Sequence, residues 1–171
     1  MKFRLMQTLR YVRLALICII FASCDQGLSP QAPGQQTPPY GISGTIHFRN
    51  WPPADSIVDL RVVSFKNYPA GDIFNEVLQG RAGYTSTLQP YGADSVSYTL
   101  ILSPIPTGPF AYTVVAQRYG QNINTDWRAV GEFHAAGDTL HPGVIVVPAD
   151  SIVPGINIDV DFNHPPPPPQ P

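Results

Sequence analysis

The chain has 171 residues, with 10 basic against 12 acidic side chains, a net charge of −2 and only two cysteines. This near-balance argues against a nucleic-acid partner and against electrostatic docking on anionic lipid. Two cysteines are too few for a disulfide-stapled scaffold or a cysteine metal cluster, so any domain must be held by its apolar core.

Lys2, Arg4, Arg10 and Arg13 precede an apolar run over residues 14–22, LALICIIFA. The run is shorter than the roughly 20 residues that span a bilayer and fits the apolar part of a secretory signal. Phe21, Ala22, Ser23 and Cys24 follow in an order that resembles the lipobox of bacterial lipoproteins, with phenylalanine in place of the usual leucine. The resemblance implies cleavage before Cys24 and lipidation of that cysteine. Two or more acyl chains, at about 0.8 kcal/mol per buried methylene, make a stable anchor. Removal of residues 1–23 would leave 148 residues, all 12 acidic side chains and six basic ones, a net charge near −6. Cys18 would leave with the signal, so Cys24 would have no disulfide partner.

Residues 24–39 then read as a lipidated cysteine followed by a proline- and glutamine-rich linker with too little apolar surface to order itself. Its stretch 25–39 spans at most ~50 Å when extended. At the other end, residues 164–171, HPPPPPQP, cannot continue a sheet and read as a stiff polyproline spacer. The domain is expected between them, at residues 40–163.

That domain reads as strands. Residues 41–49 alternate with Ile42, Ile46 and Phe48 on one face, and residues 57–66 are rich in β-branched side chains. Residues 72–79 form the one helical candidate, with Asp72 as cap, an apolar stripe of Ile73, Phe74, Val77 and Leu78, and Gly80 as stop. A weak strand is expected over 82–89. In 94–102 Val96, Tyr98, Leu100 and Leu102 face inward; a proline-glycine turn, SPIPTGP, leads into a strand over 110–118. Strands over 127–134 and 143–147 follow, and the closing strand alternates Ile156, Ile158, Val160 and Phe162 with Asn157, Asp159, Asp161 and Asn163. One buried and one wet face is the mark of an antiparallel sandwich. PADSIV occurs at residues 53–58 and 148–153, with GADSVS at 92–97. Each carries turn chemistry ahead of a strand.

The order GISGTI, DLRVVSF, Tyr98-Thr99-Leu100, Pro106-Thr107-Gly108-Pro109-Phe110 and residues 112–119 resembles the regulatory, transthyretin-like domain of carboxypeptidases. The resemblance covers most of residues 41–162, with residues 68–90 and the stretch NINTDWRAVGEF as additions. It implies an all-β, immunoglobulin-like or transthyretin-like antiparallel Greek-key sandwich of about seven strands with one short helix. It also implies a non-catalytic module.

Nucleophile-elbow, zincin and P-loop patterns are missing, and no cofactor is implied. His134, Asp138 and His141 offer zinc-type ligands around a turn, but a strand end and polar turn explain them better. Asp159 and Asp161, two apart on a strand, read as a solvated face rather than a calcium site. The remaining candidates are aromatic. Trp51, Tyr91, Tyr119 and Trp127 fall at strand ends or in loops, where binding residues gather on sandwich scaffolds. Trp127 and Tyr119, near Asn122, Asn124, Asp126 and Arg128, form a surface on which a sugar ring could stack. The competing reading makes the tryptophans plugs of the core.

The chain is thus expected to be a bacterial envelope lipoprotein, on the periplasmic side or cell surface. Its membrane contact would run through lipid on Cys24, and its non-catalytic sandwich would have a structural or protein-interaction role. The alternative is a carbohydrate-binding surface lipoprotein that uses Trp51, Tyr119, Trp127 and Arg128.

Overall fold

A computed structural model describes residues 38–70 and 73–169. The expected signal peptide, Cys24, the linker up to residue 37 and the helix cap Asp72 lie outside the described residues. The elements in chain order are β1 (Gly41–Arg49), β2 (Asp59–Phe65), α1 (Ile73–Leu78), β3 (Ala82–Tyr84) and β4 (Ser95–Ile101). There follow β5 (Gly108–Phe110), β6 (Tyr112–Arg118), β7 (Trp127–Glu132), β8 (Ile145–Val147), β9 (Ile152–Val153) and β10 (Ile158–Asp161).

The fold is all-β with one short helix. Its main sheet runs β3-β2-β6-β7-β10-β1-β4, β9 also pairs with β1, and β5-β8 form a separate pair. The sheet curls so that β3-β2-β6-β7 lies over β10-β1-β4, with the β5-β8 pair packed at the side. Between them Ile42, Ile46, Leu60, Val62, Leu100, Phe110, Val115, Val130, Val147, Ile158 and Val160 make one buried core. The corner between the halves lies at Gly131, paired with Val160. A side chain there would meet Val160 Cγ2 at 2.6 Å and Asp159 O at 2.8 Å. Beside it the β6–β7 register shifts, Val115 facing Gly131 and Ala116 facing Ala129, which leaves Val130 as a bulge residue. Such bulges bend a strand and sharpen its twist.

Two features depart from the expected antiparallel sandwich. β1 pairs parallel with β9 and then with β10, while the other side of β1 is antiparallel to β4. The strand order establishes a curled mixed sheet and leaves the expected Greek-key path unestablished. Parallel pairing needs a long crossover, and here it joins the first strand to the last ones. The strand number is also higher than seven, because part of the expected SPIPTGP turn pairs as β5 with β8 and the second PADSIV ends in β9.

The second feature is burial on both faces of β2 and β6. Their inward side chains Leu60, Val62 and Val115 join the main core, and Ser64 and Thr113 share a buried hydroxyl–hydroxyl bond of 2.7 Å across the ladder. Their outward side chains Val63, Phe65, Tyr112, Val114 and Ala116 form a second cluster, against which Val77 and Trp127 pack. Residues 66–81, with α1, and the start of β7 therefore form a third layer over this half.

Within the β9–β10 break, Gly155 adopts φ 78° and the chain returns against β1 at Gly44. Ile156 N donates to Ser43 O at 3.0 Å, and a side chain at Gly44 would lie 2.0 Å from Ile156 O. Gly44→Ala must push two paired backbones apart. It is expected to cost about 1–3 kcal/mol, read as a lower urea midpoint; an unchanged midpoint would mean that the β9–β10 break yields freely.

Candidate functional site

Trp51 lies at one end of the sandwich, half-buried, with ring centroids 4.6 Å from Phe48, 4.9 Å from Phe162 and 6.2 Å from Tyr91. Its Nε1 donates to Ala93 O at 2.9 Å. This is the plug position. The indole completes the core instead of offering a stacking face, and Tyr91 belongs to the same cap.

The remaining aromatic candidates are split by strand geometry. Side chains alternate between sheet faces, so Trp127 and Arg128 point in opposite directions. Trp127 joins the outer cluster, with the Arg118 guanidinium 5.8 Å from its ring. Arg128 donates from Nε to Gln117 Oε1 at 3.0 Å and lies 5.8 Å over the Tyr119 ring, which is 50% exposed. Trp127 and the Tyr119–Arg128 pair therefore form two separate surfaces.

Trp127 lines a groove of about 240 Å³. Val63 and Ala116 contribute from the outer sheet face, Ile73, Phe74 and Val77 from α1, Tyr84 from β3, and Ile123 and Asn124 from the loop before β7. Ile73, Phe74, Tyr84 and Ile123 remain between 38% and 55% exposed. Asp59 and Arg61 close one end as an ion pair at 2.7 Å. Asp59 also accepts from Leu60 N at 2.9 Å and Thr87 Oγ1 at 2.8 Å, and Arg61 lies over the Tyr84 ring. These charges are engaged with each other and with the fold.

Both walls are fixed from behind. Gly80 ends α1 with φ 65°, its N–H donating to Val77 O at 3.0 Å while Arg81 N donates to Glu76 O at 2.9 Å. That pair of bonds is the Schellman pattern. The Arg81 guanidinium then grips the buried Glu76 carboxylate, its Nε at 2.9 Å from Oε2, and these bonds hold the carboxyl below the usual carboxylate range. The other wall is tied by its own polar groups. Asp126 accepts from Asn122 N and Thr125 Oγ1, Asn122 accepts from Asn124 N, and Trp127 Nε1 donates to Ile123 O at 2.7 Å. Asn122 and Asp126, which the sequence offered as partners for sugar hydroxyls, thus shape their own loop.

His134, Asp138 and His141 do meet, but as a turn. Asp138 Oδ1 accepts from the backbone of Leu140 and His141, His141 Nδ1 lies 3.2 Å from Asp138 Oδ2, and His134 Nδ1 lies 3.0 Å from His141 O. Among the described residues no three histidine or carboxylate groups converge as metal ligands. Asp159 and Asp161 stand apart in function too. Asp161 accepts from Asn50 Nδ2 at 2.7 Å, Asn163 N at 3.0 Å and His164 Nδ1 at 3.1 Å.

The groove went unread in the sequence except for Trp127. The one available signal was the α1 stripe, whose Ile73 and Phe74 remain exposed at the rim instead of being covered. Comparison with protein-family models, with curated proteins and with solved structures gives no match.

The Asn50, His164 and Asn163 donors hold the Asp161 carboxyl down at about 2. A depressed value stabilises the fold above the ordinary carboxylate range, and the effect is lost as pH falls through about 2. Carboxyl carbon shifts should show Asp161 titrating last among the aspartates, with His164 released in step; a midpoint in the ordinary range would remove this clasp.

Proposed function

We propose that the chain is a lipid-tethered bacterial envelope protein whose sandwich is a non-catalytic protein-interaction module. The anchor is Cys24, as the resemblance of residues 21–24 to a lipobox implies, and the linker carries the domain away from the bilayer. The observation that carries the interaction role is the groove between α1 and the loop before β7. It is apolar, open, walled by exposed Ile73, Phe74 and Ile123, and already braced on both sides. An aliphatic or aromatic side chain from a partner, fully buried there, would contribute about 1.5–3 kcal/mol. The likeness to transthyretin-like regulatory modules agrees with a role in contact rather than catalysis.

A second reading, carbohydrate binding, is favoured by one observation. Tyr119 presents half its surface beside Arg128. It would place the glycan on the opposite surface from the groove, so the two readings are separable by position.

Mass spectrometry of membrane-extracted protein is expected to show a lipid-bearing N-terminal Cys24, and Cys24→Ala to abolish that species. An unmodified mature N-terminus elsewhere would end the anchor reading. Photo-crosslinking groups placed in cells at Phe74 and Ile123 are expected to give discrete products that the same group at His47, on the outer face of β1, does not. Equal products at all three positions would remove the groove from the argument. Loss of glycan binding in Tyr119→Ala, with the crosslinks unchanged, would favour the second reading.

A further inference from the structure

The main sheet curls until its two terminal strands face each other, yet β3 and β4 do not hydrogen-bond. They approach closely only near Gly83, where a side chain would meet Leu102 Cδ2 at 2.8 Å and Ile105 Cδ1 at 3.2 Å. Beyond that point the chain continues beside β2, Thr85 N donating to Val62 O at 3.0 Å and Leu88 N to Leu60 O at 2.7 Å. This continuation diverges from β4 and leaves a slot of about 260 Å³ between residues 85–89 and residues 96–99.

The slot is edged by backbone. Phe48 N donates to Asp94 O at 2.8 Å and Leu102 N to Tyr40 O at 2.8 Å. Antiparallel ladders alternate, so even-numbered β4 residues direct their N–H and C=O toward β1. Ser95, Ser97, Thr99 and Ile101 direct theirs toward the slot, where no described backbone group pairs with them. β4 also lacks the usual protections of an edge strand. Its seven residues, SVSYTLI, include no charge and no proline, and its register with β1 is unbroken. Half-buried Val96 and buried Tyr98 and Leu88 line the slot on the core side, and the hydroxyl residues Thr85, Ser86 and Thr87 line the opposite wall.

We propose that this slot is a strand-addition site for an extended peptide segment of a partner protein, independent of the groove beside α1. The groups on offer are backbone donors and acceptors at two-residue spacing, and their complement is another extended backbone. The segment needs free N–H groups where it faces β4 and small aliphatic side chains where it faces Val96 and Tyr98. The tails of this chain do not qualify. Residues 25–39 carry prolines at 30, 33, 38 and 39, and residues 165–169 are all proline. A second copy's β4 would have to bring its whole sandwich into a slot walled by residues 85–89, whereas a single strand enters alone.

The test uses the full mature chain in detergent micelles, hydrogen–deuterium exchange as readout, and the hexapeptide acetyl-TVTVTV-amide as probe. Exchange over residues 94–102 is expected to slow about tenfold on adding the peptide. The same peptide N-methylated at alternate residues, so that one edge carries no donor, should give no protection. Thr99→Pro removes a donor that faces the slot and none that faces β1, so it should abolish protection while the protein stays folded. Ser97→Lys, which puts a charge on the edge, should weaken protection without touching the ladder. No slowing with the peptide, equal slowing with its N-methylated form, or protection retained in Thr99→Pro would each overturn the proposal. So would protection that rises with protein concentration in the absence of peptide, which would assign the edge to a second copy.

Discussion

The constraint on which the rest depends is the burial of β2 and β6 on both faces. A sandwich needs each strand to bury one face, and DLRVVSF and YTVVAQR bury two. Apolar surface on the outer side must be covered, and a sandwich of two layers has nothing to cover it with. The long excursion from Phe65 to Ala82 and the folded loop ahead of Trp127 supply that cover. They arrive from opposite sides and do not close completely. The groove is the remaining gap, so the candidate site follows from the way the second cluster is roofed.

Strand faces were legible wherever one side of the strand meets water. Tyr98, Leu100, Ile158, Val160 and Phe162 point inward as their alternation requires, because a period of two leaves no other arrangement. The parallel pairing of β1 with β9 and β10 was not legible, since alternation fixes a face and says nothing of direction. Nor was the roof. Ile73 and Phe74 lie about fifty residues from Ile123 and Trp127, and no local pattern records that they share a wall. Trp127 and Arg128 teach the opposite lesson. Adjacent residues on a strand cannot serve one face, so their separation was available from the sequence alone.

Bracing of the walls bears on how the groove binds. Arg81 on Glu76 and the Gly80 turn hold α1, while Asp126 and the indole N–H hold the loop. Ordering of mobile segments is among the main costs of association, and here the fold itself has already met it.

The parallel run of β1 beside β10 has one more consequence. The chain comes into the domain at Tyr40, ahead of β1, and leaves it at His164, after β10, which runs the same way. Over nine strand residues, at about 3.3 Å each, these points are roughly 30 Å apart and at opposite poles. Tension applied between the linker and the proline tail would draw β1 and β10 past each other along their length. Every bond between them would share the load at once, instead of opening one after another. The pairing that alternation did not reveal is therefore the one that would make this domain resist a pull between its two tails.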